Sequence, residues 1–174
     1  MPNVHPLLVH FPIALIFAVV ACDFIGLVFK KRSFIAAGSI LTVFALVAAV
    51  FTVISGLLAE DIAWKPPAVG ELIDTHELLG FIFLGIVVVL AIFRFAVKQK
   101  LYSRLGWVAL AIGIVAAGVV SAGGYIGGEM VYRFGTGIEA AKQETARADS
   151  LAQQLNQYRG IEKAQPERQN PKAQ

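Results

Sequence analysis

Four apolar runs, each long enough to cross a bilayer, constrain this chain more than any other feature. They cover residues 7–29, 34–58, 78–97 and 105–126. A hydrocarbon layer of roughly 30 Å takes about 20 helical residues. Lipid offers no hydrogen-bond partners, so a spanning backbone must satisfy its own N–H and C=O groups, and helices do this. Pro12 interrupts the first run within two turns of its start, where a missing N–H costs least. Asp23 and Arg94 are the charges inside the runs, and both fall near the same membrane face. The whole chain is 57% hydrophobic and 16% charged, against about a quarter charged in a soluble domain. The expected fold is therefore all-α, a four-helix transmembrane bundle over residues 1–136 with a polar extramembrane segment over 137–174. No internal repeat stands out.

Within the polar segment, residues 138–158 combine good helix formers with mixed charge. Ala141, Ala148, Leu151, Leu155 and Tyr158 approximate a heptad seam. A solvated helix and a docking helix for a partner both fit that pattern. Beyond Gly160 the stretch rich in Gln, Pro, Lys and Glu reads as disordered.

The loops set an orientation. Lys30, Lys31 and Arg32 join the first two runs, and Lys98, Lys100 and Arg104 join the last two. The middle loop instead carries Glu60, Asp61, Glu71, Asp74 and Glu77 against Lys65. Basic loops stay in the cytoplasm. Both termini and the middle loop are thus expected on the outer side, the periplasm of a bacterial inner membrane. Trp64 in that loop suits an interfacial anchor, and Pro66-Pro67 suits a turn. The first run lacks the cationic start and small-residue cleavage site of a secretory leader, so it reads as a retained span. With the basic residues concentrated in topogenic loops, and no basic stripe with interleaved aromatics, nucleic-acid binding is excluded as a reading. Cys22 has no partner for a disulfide and reads as a small apolar helix residue.

The chemistry-bearing residues are the histidines. His5, His10 and His76 all lie at the outward end of helices. A four-helix bundle can hold a cofactor between facing helices, and neutral imidazole ligates haem iron, copper and zinc. His5 and His10 are about 140° apart around a helix, so they do not share a face. His10 and His76 belong to different helices at similar depth, which makes them the expected pair around one centre. His5 would then be a third ligand, an outer partner or a helix-end cap. Ordinary interhelical hydrogen bonding accounts for the same residues without any ligand.

Ala109, Gly113, Ala117 and Ser121 form a ladder of small residues, and the run 123–128 adds further G-x-x-x-G spacings. Such residues let helices approach closely. A flat cofactor lying on glycine backbone would ask for the same thing. Glu60, Asp61, Asp74, Glu77 and Glu129 read as solvated charges or as a completing metal shell. Asp23 reads as structural, paired with Arg94 or Lys30. There is no phosphate loop, no H-E-x-x-H, no C-x-x-C-H and no Ser-His-Asp order, so the chain reads as a non-enzyme.

The stretch His5-Pro6-Leu7-Leu8-Val9-His10-Phe11-Pro12-Ile13-Ala14-Leu15 resembles the opening signature of a bacterial four-helix membrane family known as a domain of unknown function. Ser55-Gly56-Leu57, His76, and the closing pattern from Gly124 to Gly135 resemble it too. The resemblance covers residues 5–137. It implies respiratory or redox company, because in that family the domain occurs joined to Rieske or cytochrome-type modules. It also implies histidine at two positions where this chain has Tyr125 and Phe134. Two functional expectations result. One is a b-type haem held by His10 and His76, with copper or zinc as the alternative metal, passing electrons to membrane or periplasmic redox partners. The other is a non-catalytic subunit of a larger membrane complex, or a homo-oligomer.

Overall fold

The computed structural model describes residues 4–62 and 65–164. Every regular element in it is a helix. The chain runs α1 (His5–Leu8), α2 (His10–Val28), α3 (Arg32–Ile62), α4 (Gly70–Val97), α5 (Arg104–Tyr132) and α6 (Glu139–Ala164), with short 3-10 turns at Pro67–Val69 and Lys98–Tyr102. Four stretches are long and apolar enough to cross a membrane: His5–Val28, Arg32–Ala59, Gly70–Val97 and Arg104–Tyr132. Their outward faces keep large apolar residues such as Phe17, Phe44, Ile92 and Val115 exposed, as a lipid-facing surface requires. Two compact units divide the chain, Met1–Gly137 and Ile138–Gln174.

Helices α4, α5 and α6 each extend past the bounds that composition suggested. Helix α4 begins at Gly70, so Asp74, Thr75, His76 and Glu77 are helical rather than loop. Glu71 occupies its first turn, where a carboxylate favours the positive end of the helix dipole, and the Thr75 hydroxyl donates to Glu71 O at 2.8 Å. Helix α5 continues through its glycines to Tyr132, because tertiary packing overrides their low propensity. It closes at Gly135, which takes a left-handed φ of 69°. Helix α6 runs through Gly160 to Ala164, past the point where the composition suggested disorder. Its seam residues Leu151, Leu155 and Tyr158 are exposed. Trp64 and residues 165–174 lie outside the described residues, as do the side chains of Glu60 and Asp61.

Within the bundle α2 packs against α3 and α5, and α4 packs against α5 and α3. Burial along these helices reveals a repeat that residue identity conceals. A shift of 71 residues, the separation of Asp23 from Arg94, carries Pro12, Ile16, Val19 and Asp23 onto Phe83, Val87, Leu90 and Arg94. Those last four are the buried residues of α4, and the first four are buried in α2. The same shift carries Ile35, Gly38, Thr42, Ala45 and Ala59 of α3 onto Gly106, Ala109, Gly113, Ala116 and Met130 of α5, all buried. The chain is thus two helical hairpins in parallel orientation, the arrangement related by an axis along the membrane normal.

A residue that touches its own image must lie beside that axis. Asp23 and Arg94 do so at the basic end, where they form an ion pair with both side chains under 5% exposed. Gly38 makes room for it, since a Cβ there would stand 2.5 Å from Asp23 Oδ1. The Arg94 Nη1 group also donates to Ser39 Oγ at 3.2 Å. Burying either charge alone would be costly, and the pair makes both tolerable. Asp23→Ala or Arg94→Ala should therefore destabilise the bundle by about 3–5 kcal/mol. The double replacement Asp23→Leu with Arg94→Met should cost much less than either single change. Thermal unfolding in detergent micelles checks the order.

Candidate functional site

The opposite end of the bundle holds the second self-contacting pair. The His5 and His76 rings stand 6.2 Å apart, centre to centre, in an edge-on arrangement with an interplanar angle of 89°. The 71-residue shift carries one onto the other. Each is fixed by the helix that follows it in its own hairpin.

In the first hairpin the chain of cause begins at Pro12. Proline has no N–H and its ring crowds the carbonyl four residues back, so α1 and α2 break at Val9 and Leu8 O loses its helical donor. Thr52 of α3 supplies a replacement: its hydroxyl donates to Leu8 O at 3.2 Å. That ties the start of the first span to α3 where His5 sits. His5 Nδ1 then lies 3.1 Å from Thr52 O and 3.0 Å from Ser55 Oγ. Ser55 Oγ in turn donates to Thr52 O at 2.8 Å. A backbone carbonyl only accepts, so the contact with Thr52 O is a hydrogen bond when Nδ1 carries the proton.

The second hairpin repeats the device with different residues. His76 Nδ1 donates to Gly123 O at 2.9 Å, and the sequence separation of 47 matches that of His5 from Thr52. Glycine backs both rings. A Cβ at Gly56 would stand 3.0 Å from His5 Cε1, and one at Gly127 would stand 3.0 Å from His76 Cε1. Two imidazoles, each oriented through Nδ1 by a backbone carbonyl, therefore meet at the axis. Anchoring of this kind is how proteins orient metal-ligating histidine.

His10 is not part of this arrangement. It is exposed on the bundle surface, and the pair formed is His5 with His76 rather than His10 with His76. The reason is angular: five residues and a break at Val9 separate His10 from His5, so turning His5 to the axis turns His10 toward the surroundings. Tyr125 also points outward, 74% exposed, and Phe134 packs beneath the Arg133 guanidinium at 5.5 Å. Glu129 forms an ion pair with Arg133 at 2.8 Å, and Asp74 is exposed. Among the described residues, no group of three or more His, Cys, Asp or Glu side chains is placed to hold a metal ion. The ladder residues Ala109, Gly113 and Ala117 are buried in helix packing, with Gly113 facing Val20.

Thr52 is a site residue that periodicity and motif reading passed over, and the roles of Ser55, Gly56, Gly123 and Gly127 behind the two rings were not read from their motifs. A signal was present. His5-Pro6-Leu7-Leu8 and His76-Glu77-Leu78-Leu79 share the pattern H-x-L-L, and each histidine is followed at the same distance by a glycine, Gly56 or Gly127.

With this geometry in hand, comparison with known families is informative. Residues 1–140 match the family described as "Predicted membrane protein (DUF2231)", and the chain belongs to that family. No curated protein and no solved structure matches the chain.

The glycine seats make a direct test. Gly118 has open space where a Cβ would project, so Gly118→Ala should stabilise α5 by up to about 1 kcal/mol. Gly127→Ala should forfeit that gain, because the His76 ring must shift to admit the methyl group. Paired unfolding measurements in micelles read the difference, and an equal gain at both positions would refute the seating.

Proposed function

We propose that this member of a membrane-protein family is a small electron carrier in which His5 and His76 would hold a b-type haem. The observation that carries the proposal is the convergence of two Nδ1-anchored imidazoles at the bundle axis, 6.2 Å apart. His5 and His76 would hold the group, each through a ring whose Nδ1 contacts a backbone carbonyl. The donor count points to haem rather than a bare ion. Zinc usually takes four protein ligands in a structural site and three in a catalytic one, while haem iron draws four nitrogens from its macrocycle and asks the protein for two. Two imidazoles at the axis support that reading.

In this reading the group supplies one-electron chemistry, and the chain's residues hold and tune it. Thr52 O, Ser55 Oγ and Gly123 O fix the orientation of the two imidazoles. Carbonyl acceptors at Nδ1 raise ligand basicity and so bias the potential. The surrounding apolar helices exclude water. Electrons would pass between a membrane reductant such as a quinol and a carrier on the outer side. The basic loops at Lys30–Arg32 and Lys98–Arg104 share one end of the bundle, as the Arg32 guanidinium 5.0 Å over the Tyr102 ring demonstrates. The positive-inside bias assigns that end to the cytoplasm of a bacterial inner membrane, leaving the histidine end and both termini periplasmic.

A second reading, a non-catalytic subunit of a larger membrane complex, draws on a different observation. Between α4 and α5 an open apolar groove of about 490 Å³ is lined by Ile82, Gly85, Val89, Ala111 and Val115. Small residues on a lipid-facing groove suit close approach by another helix.

Purified protein expressed with ample haem should show a Soret band and a reducible α-band. His5→Ala and His76→Ala should each abolish them, while His10→Ala should leave them intact. Absence of any haem spectrum from intact, folded protein sinks the electron-carrier proposal and leaves the subunit reading.

A further inference from the structure

The basic end of the bundle carries a second feature, unrelated to the histidines. A cavity of about 450 Å³ opens between the start of α3 and the end of α4. Its rim holds Arg32 and Lys98, its floor holds Arg94, and Val43 and Phe95 form part of its apolar wall. We propose that this cavity is a binding site for an anionic phospholipid, with the phosphate at the rim and acyl chain along the wall.

Charge is the first argument. Arg32 and Lys98 have no carboxylate partner among the described residues. Each lies instead over an aromatic ring, Arg32 over Tyr102 at 5.0 Å and Lys98 over Phe95 at 4.7 Å. Arg94 is neutralised by Asp23, so the rim keeps two uncompensated positive charges. Arg94 itself is 4% exposed on the floor, so the phosphate would meet the rim cations rather than its guanidinium.

Depth is the second argument, and it selects a lipid over a soluble anion. From Arg32 to Val43 the α3 wall descends roughly 16 Å at 1.5 Å per residue. The cavity therefore extends from headgroup level well into the hydrocarbon. A free phosphate would use the rim and leave the apolar wall unmatched. A phospholipid matches both, as in basic pockets between transmembrane helices that take lipid headgroups. The two rings extend the apolar wall up to the cations, so the cations can pivot from ring faces to a phosphate without losing a partner.

Native mass spectrometry of delipidated protein in neutral detergent tests this, with phosphatidylglycerol or phosphatidylcholine added back. Phosphatidylglycerol should be retained preferentially. Arg32→Ala combined with Lys98→Ala should weaken its retention by about 10- to 30-fold. Lys100→Ala combined with Arg104→Ala removes two charges from the same end without touching the cavity, and should leave retention unchanged. Equal retention of both lipids, or equal loss in both double variants, would reduce the effect to general surface attraction and overturn the site. Displacement by millimolar inorganic phosphate would overturn the lipid assignment in favour of a soluble anion. If the Arg32/Lys98 variant fails to fold, Val43→Trp fills the apolar wall instead, and undiminished retention there would equally refute the proposal.

Discussion

An ionised carboxylate and a guanidinium cannot lie alone among apolar helices, and the bundle is organised around the way Asp23 and Arg94 neutralise each other. Their pairing joins α2 to α4 across the centre of the bundle. Neither element follows the other in the chain, so the ion pair bridges two hairpins that packing alone would hold by unspecific apolar contact. It leaves Asp23 Oδ1 and Arg94 Nε without partners among the described residues. The ion pair therefore specifies which face of each helix turns inward, while its polar capacity is not fully used.

At the other end the same two spans meet through imidazoles. Here register rather than charge does the specifying. A proline frees a carbonyl, a threonine on the neighbouring helix takes it up, and the backbone of that threonine orients His5. In the second hairpin a glycine carbonyl orients His76 with no proline involved. Different local chemistry reaches the same outcome because the outcome is set by the repeat: both rings must point at the axis, and both need a neighbour with no side chain behind them. The proposed haem site and the proposed lipid site lie at opposite ends of this frame and depend on different residues.

The spans and polar C-terminal helix were legible from hydropathy and length, since lipid leaves a spanning backbone little alternative to helix. Which histidines meet was not. His10 and His76 share a similar depth, and depth is what a linear reading measures best. Rotation about the helix axis decides contact, and the face that turned inward depended on packing against α3. The repeat was hidden for a related reason. Its halves preserve burial and lose identity, with Asp23 set against Arg94 and Pro12 against Phe83, so that complementary rather than similar residues occupy matching places.

By itself, the amino-acid sequence determined the number of apolar spans, the membrane character, the clustering of basic loops and the presence of imidazoles at one end. All of these follow from local composition, because transfer of a segment into lipid depends on that segment's own groups. The tertiary structure alone decided the partners: Asp23 with Arg94, His5 with His76, Thr52 with the carbonyl that Pro12 leaves open. Partnership depends on the relative rotation of helices separated by dozens of residues, and that rotation is a property of the packed bundle rather than of any one segment.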